Sequence, residues 1–267
     1  MKNKTILPAF LVFVLLASCK KDLPTKSSWG EPQAIAENRS SQRAGLPNPF
    51  EYLGVIHNQA MDYVKNSRGF QNFDSYNRYS VVYQFTSEKF PSLKRNESEF
   101  ELFKNEVMEL VNADDRAPKV LYSKGRIDLQ TKMLLDKIYQ VFADCNVASE
   151  TTEPSKIFEK LIAFEANLIR EYGCPSSNLQ NNTSIAAVLA SSAIARYSYY
   201  YWYTVSKDPM NPWFKVLSNS VHKSTINWGQ LLRTVKADFI GFWSSDGQSS
   251  GLNIGTAISN AIDASAE

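Results

Sequence analysis

Apolar residues recur every three or four positions along most of the chain, and short polar segments separate the stretches in which they do so. This spacing places the apolar side chains on one face of an α-helix, which can then pack on a core. Five stretches show the pattern, residues 52–64, 97–111, 127–143, 157–172 and 228–242. The pattern predicts a fold built from several amphipathic helices.

The ends of these stretches carry residues that start or stop helices. Asn48 and Asn211 each precede a proline, and an asparagine N-cap followed by proline is typical of the first helical turn. Glu51 stands three residues after Asn48, where it would complete a capping box. Gly173 follows one stretch at the place where a glycine usually ends a helix. We therefore expect helices to begin near Asn48 and Asn211.

Residues 183–205 have a different composition, with many alanine, serine and tyrosine residues and one charge, Arg196. A helix that is apolar on all sides is a buried helix. A membrane span is the less favoured alternative, because the segment is partly polar and contains Arg196. We predict that this segment forms the central helix of the domain.

Together these patterns predict an all-α fold, with a single multi-helix globular domain over residues 47–267. Residues 79–85 are the one run that could form a β-strand. Gly251, Gly255 and Ser259 are spaced four residues apart and would give a C-terminal helix a face of small side chains. We expect that face to pack closely against the domain.

The N-terminus has the three parts of an export signal. Lys2 and Lys4 precede an uncharged apolar stretch, residues 6–16, that is too short to span a bilayer. It ends in a tetrapeptide that resembles the lipobox of bacterial lipoproteins, Leu16-Ala17-Ser18-Cys19. In a lipobox the cysteine thiol takes a diacylglyceryl group, and cleavage occurs just before it. We predict that residues 1–18 are a signal peptide and that Cys19 is the lipidated first residue; a chance cysteine after an ordinary signal peptide is the alternative.

Residues 19–46 are predicted to be the lipidated cysteine and a flexible tether. They are rich in Lys, Ser, Pro, Gln, Glu and Asn, with no apolar period. A flexible coil of this length would hold the domain on the order of 30 Å from the lipid. No acidic residue directly follows Cys19, which by resemblance to Gram-negative lipoprotein sorting favours the outer membrane. Exposure to the periplasm and exposure at the cell surface both stay open.

The charge of the mature chain argues against a nucleic-acid partner. The full sequence has 29 basic and 27 acidic side chains, and removal of the signal peptide takes away Lys2 and Lys4 and leaves 27 of each. A formally neutral chain lacks the basic surface that binds phosphate backbones or anionic membranes. The expected partners are therefore the membrane, through the lipid on Cys19, and an envelope protein or small ligand.

Two short motifs are similar to those of enzymes, but the further residues and strands that each motif requires are missing from the sequence. Residues 247–251 match the G-x-S-x-G nucleophile elbow around Ser249, which needs a preceding strand and a later histidine. The two histidines, His57 and His222, both come earlier in the chain. Residues 220–223 match S-x-x-K, but the K-T-G strand that accompanies it is absent. We therefore predict that the protein is not an enzyme and has no catalytic residues.

The sequence gives no reason to expect a metal or another cofactor. His57 and His222 are isolated, and no C-x-x-C pair is present. His57 and Asp62 could form a polar cluster on the first helix and are candidate binding residues, although a spacing of five is not ideal for one helix face. A hydrogen-bonded structural histidine is the alternative. The glutamates of residues 97–109 are expected to form a solvated helix face.

Cys145 and Cys174 are the two cysteines that lipidation leaves free, and the predicted compartment is oxidising. A disulfide between them is one reading. If residues 127–143 and 157–172 form an antiparallel pair, however, the cysteines lie at opposite ends, roughly 25 Å apart. The pairing therefore stays open.

An aromatic stretch closes the predicted central helix, from Tyr197 to Tyr203. Aromatic platforms bind sugars, and Tyr and Trp are frequent at binding surfaces. Tyr199 and Trp202 are the candidate binding residues of this stretch. On a helix these rings point in all directions, so packing in the core is the competing interpretation.

The start of the domain resembles a group of uncharacterised Bacteroidetes lipoproteins. The shared features are an N-P-aromatic-acid start (Asn48 to Tyr52), Gly54, the pair His57-Asn58, the pair Asp62-Tyr63 and a C-terminal helix rich in small residues. That group implies a location but no activity. We expect a membrane-anchored envelope protein without enzymatic activity that binds a partner, and a small-ligand or glycan-binding lipoprotein is the alternative.

Overall fold

The computed structural model describes residues 48–67, 75–91, 97–146, 154–173, 184–218 and 228–244, and near the C-terminus residues 257, 260–262 and 264. Contacts within the chain group Leu46–Glu267 into one compact unit. The predicted signal peptide, Cys19 and the tether lie outside the described residues. Every regular element in the described part of the chain is helical, which confirms the all-α prediction.

The helices follow one another along the chain with short connections. Their bounds are α1 Glu51–Asn66, α2 Ser75–Lys89, α3 Glu97–Ala113, α4 Ala117–Ser123, α5 Leu129–Asn146, α6 Pro154–Tyr172, α7 Ser184–Lys207, α8 Phe214–Ser218 and α9 Trp228–Gly241. A 3₁₀ turn, Asp114–Arg116, joins α3 to α4. α6 ends before Gly173, whose φ of 84° is the left-handed conformation expected of a glycine after a helix.

The central helix is α7. Every residue from Ile185 to Tyr199 is buried, and α7 packs mainly against α1, α9 and α6. α1 approaches it closely, because a Cβ atom on Gly54 would lie 2.5 Å from Cδ2 of Tyr197. The prediction of a buried central helix is confirmed. Among the described helices, none combines the length and the apolar composition needed to cross a bilayer.

The strand considered for residues 79–85 is wrong, since these residues lie within helix α2. Tyr79, Val82 and Phe85 are all buried, as is Thr86. Their spacing of three to four positions fits a helix face and outweighs the local alternation of apolar and polar side chains. The tertiary contacts of this face therefore decide the conformation of the run.

The predicted helix starts hold in part. Oδ1 of Asn48 accepts a hydrogen bond from the Phe50 amide at 3.0 Å, and Oδ1 of Asn211 accepts one from the Trp213 amide at 3.0 Å. The regular helices begin slightly later, at Glu51 and Phe214. Asn48 also joins α1 to α7, because its Nδ2 donates to the Leu189 carbonyl at 2.9 Å. The Glu51 carboxylate, expected in a capping box, accepts a hydrogen bond from Arg196.

The C-terminal helical residues pack closely against the end of α9. A Cβ atom on Gly241 would lie 2.6 Å from the Asn260 carbonyl oxygen and 2.8 Å from Cβ of Ala264. Ala257, Ala261 and Ile262 are buried as well. The small-residue face proposed at Gly251, Gly255 and Ser259 lies outside the described residues.

The Asp128 side chain caps the N-terminus of helix α5. Its Oδ1 accepts a hydrogen bond from the Thr131 amide at 2.7 Å, and the Thr131 side chain and amide together lower the pKa of Asp128 below its ordinary value. Replacing this N-cap by alanine is expected to lower the unfolding free energy by about 1 kcal/mol at neutral pH. Urea unfolding followed by circular dichroism measures the change.

The pH dependence of that effect follows from the direction of the shift. Because the pKa of Asp128 is lower in the folded state, its contribution is present above the unfolded pKa and is lost as the pH falls through the folded pKa. Asp128→Asn is the matched control, since it keeps a capping oxygen and removes the charge. A loss of stability in Asp128→Ala that is as large in acid as at neutral pH would contradict this account.

Candidate functional site

The four candidate binding residues lie around the contact between α1 and α7, but most of them are enclosed. His57 on α1 and Tyr199 and Trp202 on α7 are buried. Asp62, one turn after His57, has a side chain that is 51 % exposed and pairs with Lys65 at 2.5 Å. The structure therefore separates Asp62, at the surface, from the other three.

His57 faces a carboxylate on α9 that the sequence pattern did not single out. Its Nε2 lies 3.4 Å from Oδ2 of Asp238, and both side chains are 0 % exposed. The same Oδ2 accepts a short hydrogen bond from the Ser198 hydroxyl and one of 3.1 Å from Nε1 of Trp202. We call these four residues the Asp238 cluster. It joins α1, α7 and α9 through one carboxylate.

The other side of the His57 ring is fixed by its neighbour on α1. Nδ1 of His57 lies 3.1 Å from Oδ1 of Asn58. Nδ2 of Asn58 in turn donates to the Tyr197 carbonyl on α7 at 3.1 Å. Nδ1 of the imidazole is thus held within α1, while Nε2 faces Asp238 on α9 without completing a hydrogen bond.

The Asp238 cluster contains serine, histidine and aspartate, but not in the arrangement of a catalytic triad. In a triad the histidine accepts the serine proton and the aspartate holds the opposite nitrogen. Here the Ser198 hydroxyl donates to Asp238 itself, and the two nitrogens of His57 face Asp238 and Asn58. Ser198 is also fully buried, so a substrate has no access to its oxygen. The arrangement is that of a polar contact between helices.

A second buried network surrounds Arg196 near the middle of α7. Its Nε and one terminal nitrogen donate to the two oxygens of Glu165 on α6, at 3.3 and 3.1 Å. The same terminal nitrogen donates to Glu51 on α1 at 3.1 Å, and Ser192 donates to Glu165 at 2.8 Å. The guanidinium carbon lies 5.0 Å from the centre of the Phe158 ring, within range of a cation–π contact. This network ties α1 and α6 to the central helix.

The electrostatics of the Arg196 network reflect its burial. Burial raises the pKa of Glu165, while the nearby charge of Arg196 and the Ser192 hydroxyl act in the opposite direction. For Arg196, burial acts to lower the pKa, but the carboxylates of Glu165 and Glu51 outweigh it and the pKa is raised. The sequence carried a signal for this network, because Glu165 is a charged residue within the apolar stripe of residues 157–172.

The aromatic stretch of α7 is mostly a packing element. Trp202 packs edge-to-face on Trp213, with ring centres 5.6 Å apart, and Nε1 of Trp213 donates to the Met61 carbonyl at 3.2 Å. Tyr201 is half-buried and its hydroxyl donates to Asp62 at 3.1 Å. Burial, followed by the charge of Asp62, raises the pKa of Tyr201. Tyr199 and Trp202, expected as a binding platform, offer no ring face to a ligand at the surface.

Several sequence candidates cannot be placed. Ser249 with the rest of residues 247–251, and His222 with residues 220–223, lie outside the described residues. So does Cys174, and of Cys145 only the helical backbone is described, so the disulfide stays a prediction. Within the described ranges no three His, Cys, Asp or Glu side chains gather as metal ligands would.

No protein-family model, curated protein or solved structure matches the chain. The resemblance to Bacteroidetes lipoproteins therefore stays a prediction that rests on residues 48–63 and on the lipobox.

Proposed function

We propose that the chain is a lipid-anchored protein of the cell envelope, held in the outer membrane of a Gram-negative bacterium through Cys19. The observation that carries this proposal is the N-terminal sequence. A basic start, an apolar stretch and the tetrapeptide Leu16 to Cys19 follow one another in the order and spacing of a lipoprotein signal. Lys20 and Lys21 after the cysteine favour the outer membrane over retention in the inner one.

The helical domain is proposed to act as an interaction module without enzymatic activity. Support for this role comes from the reactive side chains of the core, which contact one another and not the solvent. Ser198 and His57 both face the Asp238 carboxylate in the core, and Glu165 and Arg196 form a second enclosed network. Groups that are committed to helix contacts in this way are not presented to a substrate. The role proposed for the domain is therefore recognition by its outer surface.

The outer surface offers exposed apolar side chains at which a partner could bind. Leu129 and Met133 are each 55 % exposed and lie one turn apart on the same face of α5. Single exposed apolar residues are normal on proteins, so this pair serves as the first position to test. The glycan-binding alternative has less support, because Tyr199 and Trp202 are buried.

The experiment is crosslinking and capture of the full-length, tagged protein in its own envelope, followed by mass spectrometry. The N-terminal peptide of the captured protein is expected to begin at Cys19 and to carry the lipid. One or more envelope proteins are expected to crosslink to the wild type and to be lost in Leu129→Glu/Met133→Glu. The matched control is Met210→Glu, which changes an exposed apolar residue after α7.

Two outcomes would contradict the proposal separately. An N-terminal peptide that begins elsewhere, or an unmodified Cys19, would refute the anchor. Turnover of a substrate by the purified domain would refute the non-enzymatic role. Crosslinks that persist in the α5 double variant would show that the interaction surface does not include Leu129 and Met133.

A further inference from the structure

The hydrogen bonds around His57 determine which of its ring nitrogens carries a proton. Nδ2 of Asn58 donates to the Tyr197 carbonyl, and the opposite amide orientation would place two oxygens against each other. Oδ1 of Asn58 must therefore face His57, and an amide oxygen can only accept. Nδ1 of His57, at 3.1 Å, is consequently the donor and carries a proton.

The environment of Nε2 calls for a second proton. Nε2 faces Oδ2 of Asp238 at 3.4 Å, within ion-pair distance but without a completed hydrogen bond, and an unprotonated nitrogen there would set its lone pair against a carboxylate. Oδ2 already accepts from Ser198 and Trp202, while Oδ1 of Asp238 is buried and has no hydrogen-bond partner among the described residues. A buried carboxylate held only by neutral donors is costly, and an opposite charge offsets that cost.

Within the described ranges two other basic side chains, on α9 and α7, pair with other carboxylates. Among the described residues His57 is the only basic side chain within ion-pair distance of it. Lys236, on the same helix, pairs with Asp114 and Asp115 at 2.8 and 2.7 Å. Arg196 is shared between Glu165 and Glu51. The charge on Asp238 therefore depends on His57.

We infer that His57 is an imidazolium, protonated on both nitrogens. Its buried ion pair with Asp238 then stabilises the packing of α1 against α7 and α9 in a pH-dependent way. Around the pair, α1 presents His57 and Asn58, α7 presents Ser198 and Trp202, and α9 presents Asp238. Tyr201 of α7 also lies within electrostatic range of Asp238. The inference is independent of the lipid anchor and holds for the domain whatever its partner.

The direction of the pH effect follows from the charges. When rising pH removes the Nε2 proton, the Asp238 carboxylate stays buried without a counter-charge, and the contact of α1 with α9 weakens. The pair therefore adds stability while the imidazole is charged, and this stability is lost as the pH rises. An exposed histidine would produce no such change, because water solvates the carboxylate and the ring in either state.

The test is nuclear magnetic resonance of the protein labelled with ¹⁵N in its histidine rings. Only two imidazoles contribute, and His222→Gln identifies the signal of His57. We expect both ring nitrogens of His57 to be protonated at neutral pH, with an Nε2 proton that exchanges slowly with water. A neutral His57 ring at neutral pH, with Nε2 unprotonated, would overturn the inference.

Stability measurements give a second readout. The urea midpoint of the wild type is expected to fall as the pH is raised above neutral. The midpoint of Asp238→Asn is expected to fall less, because that variant has no buried carboxylate that could lose its counter-charge. Equal pH dependence in the two proteins would also contradict the inference. If Asp238→Asn does not fold, the ring signals of the wild type alone decide the question.

Discussion

Replacing Cys19 by serine is expected to move the protein from the membrane pellet to the soluble fraction while its domain stays folded. In the proposed anchor the lipid is carried by a thioether, which forms on a thiol and not on a serine hydroxyl. Each buried methylene of an acyl chain contributes about 0.8 kcal/mol to membrane binding, so loss of the lipid removes the anchor altogether. The compact unit begins at Leu46, so the substitution lies outside the domain.

Cell fractionation and immunoblotting measure this change, and circular dichroism of the released protein checks the fold. Cys145→Ser is the matched control, because it removes a thiol from the domain and keeps Cys19; it should stay in the pellet. A Cys19→Ser protein that remains in the pellet after a high-salt wash would rule out the lipid as the anchor.

Replacing Arg196 by methionine is expected to lower the unfolding free energy by about 3–5 kcal/mol, the usual effect of removing one partner of a buried ion pair. Glu165 would be left in the core with the Ser192 hydroxyl and the Asn48 side chain as its neutral side-chain partners, and without the charge of the guanidinium. Glu51, which is only partly buried, can turn to water and contributes less to the loss.

The pH dependence separates this explanation from a simple loss of packing. Burial raises the pKa of Glu165, so its neutral form is favoured in the folded state, and the stability linked to that proton is lost as the pH rises through the folded pKa. The Arg196→Met variant should therefore lose less stability in mild acid than at neutral pH. Urea unfolding across this range measures the difference.

The double variant Arg196→Met/Glu165→Leu provides the control, since it removes both charges and keeps apolar volume in their place. It is expected to recover most of the stability, because replacing a whole buried ion pair by apolar residues is often close to neutral. If the double variant is as unstable as Arg196→Met, the lost stability comes from the packing of the Arg196 side chain on Phe158 and not from an unpaired Glu165 carboxylate.

Much of the fold could be predicted from the sequence because its information is local. The three- to four-residue period places α1, α3, α5, α6 and α9 within a few residues of their observed bounds, and the uncharged first half of α7 predicts its burial. The apolar spacing did not identify the helix at residues 79–85, because so short a window fits the helix and the strand periodicity equally well. Only the contacts of Tyr79, Val82 and Phe85 with the core distinguish them.

The polar contacts of the core could not be predicted in the same way, because they join distant parts of the chain. His57 suggested a partner on its own helix, Asp62, but the side chain that it meets is Asp238 on α9. A single buried charge such as Arg196 signals that a partner exists without indicating which carboxylate it is. Glu165 and Asp238 each interrupt an apolar stripe, and that interruption is the only local sign of their role.

The contacts between α1 and α7 have a consequence for how and where the chain can fold. The hydrogen bond from Asn48 to Leu189 joins residues 141 positions apart, and the Arg196 contact with Glu51 spans 145. Loops of this length must close before the central helix is covered, and contacts at such separation slow folding. A ribosome-bound chain therefore lacks these core contacts until α7 has been synthesised. This delay is compatible with the export proposed for the chain, because an unfolded chain can still pass through a translocation channel.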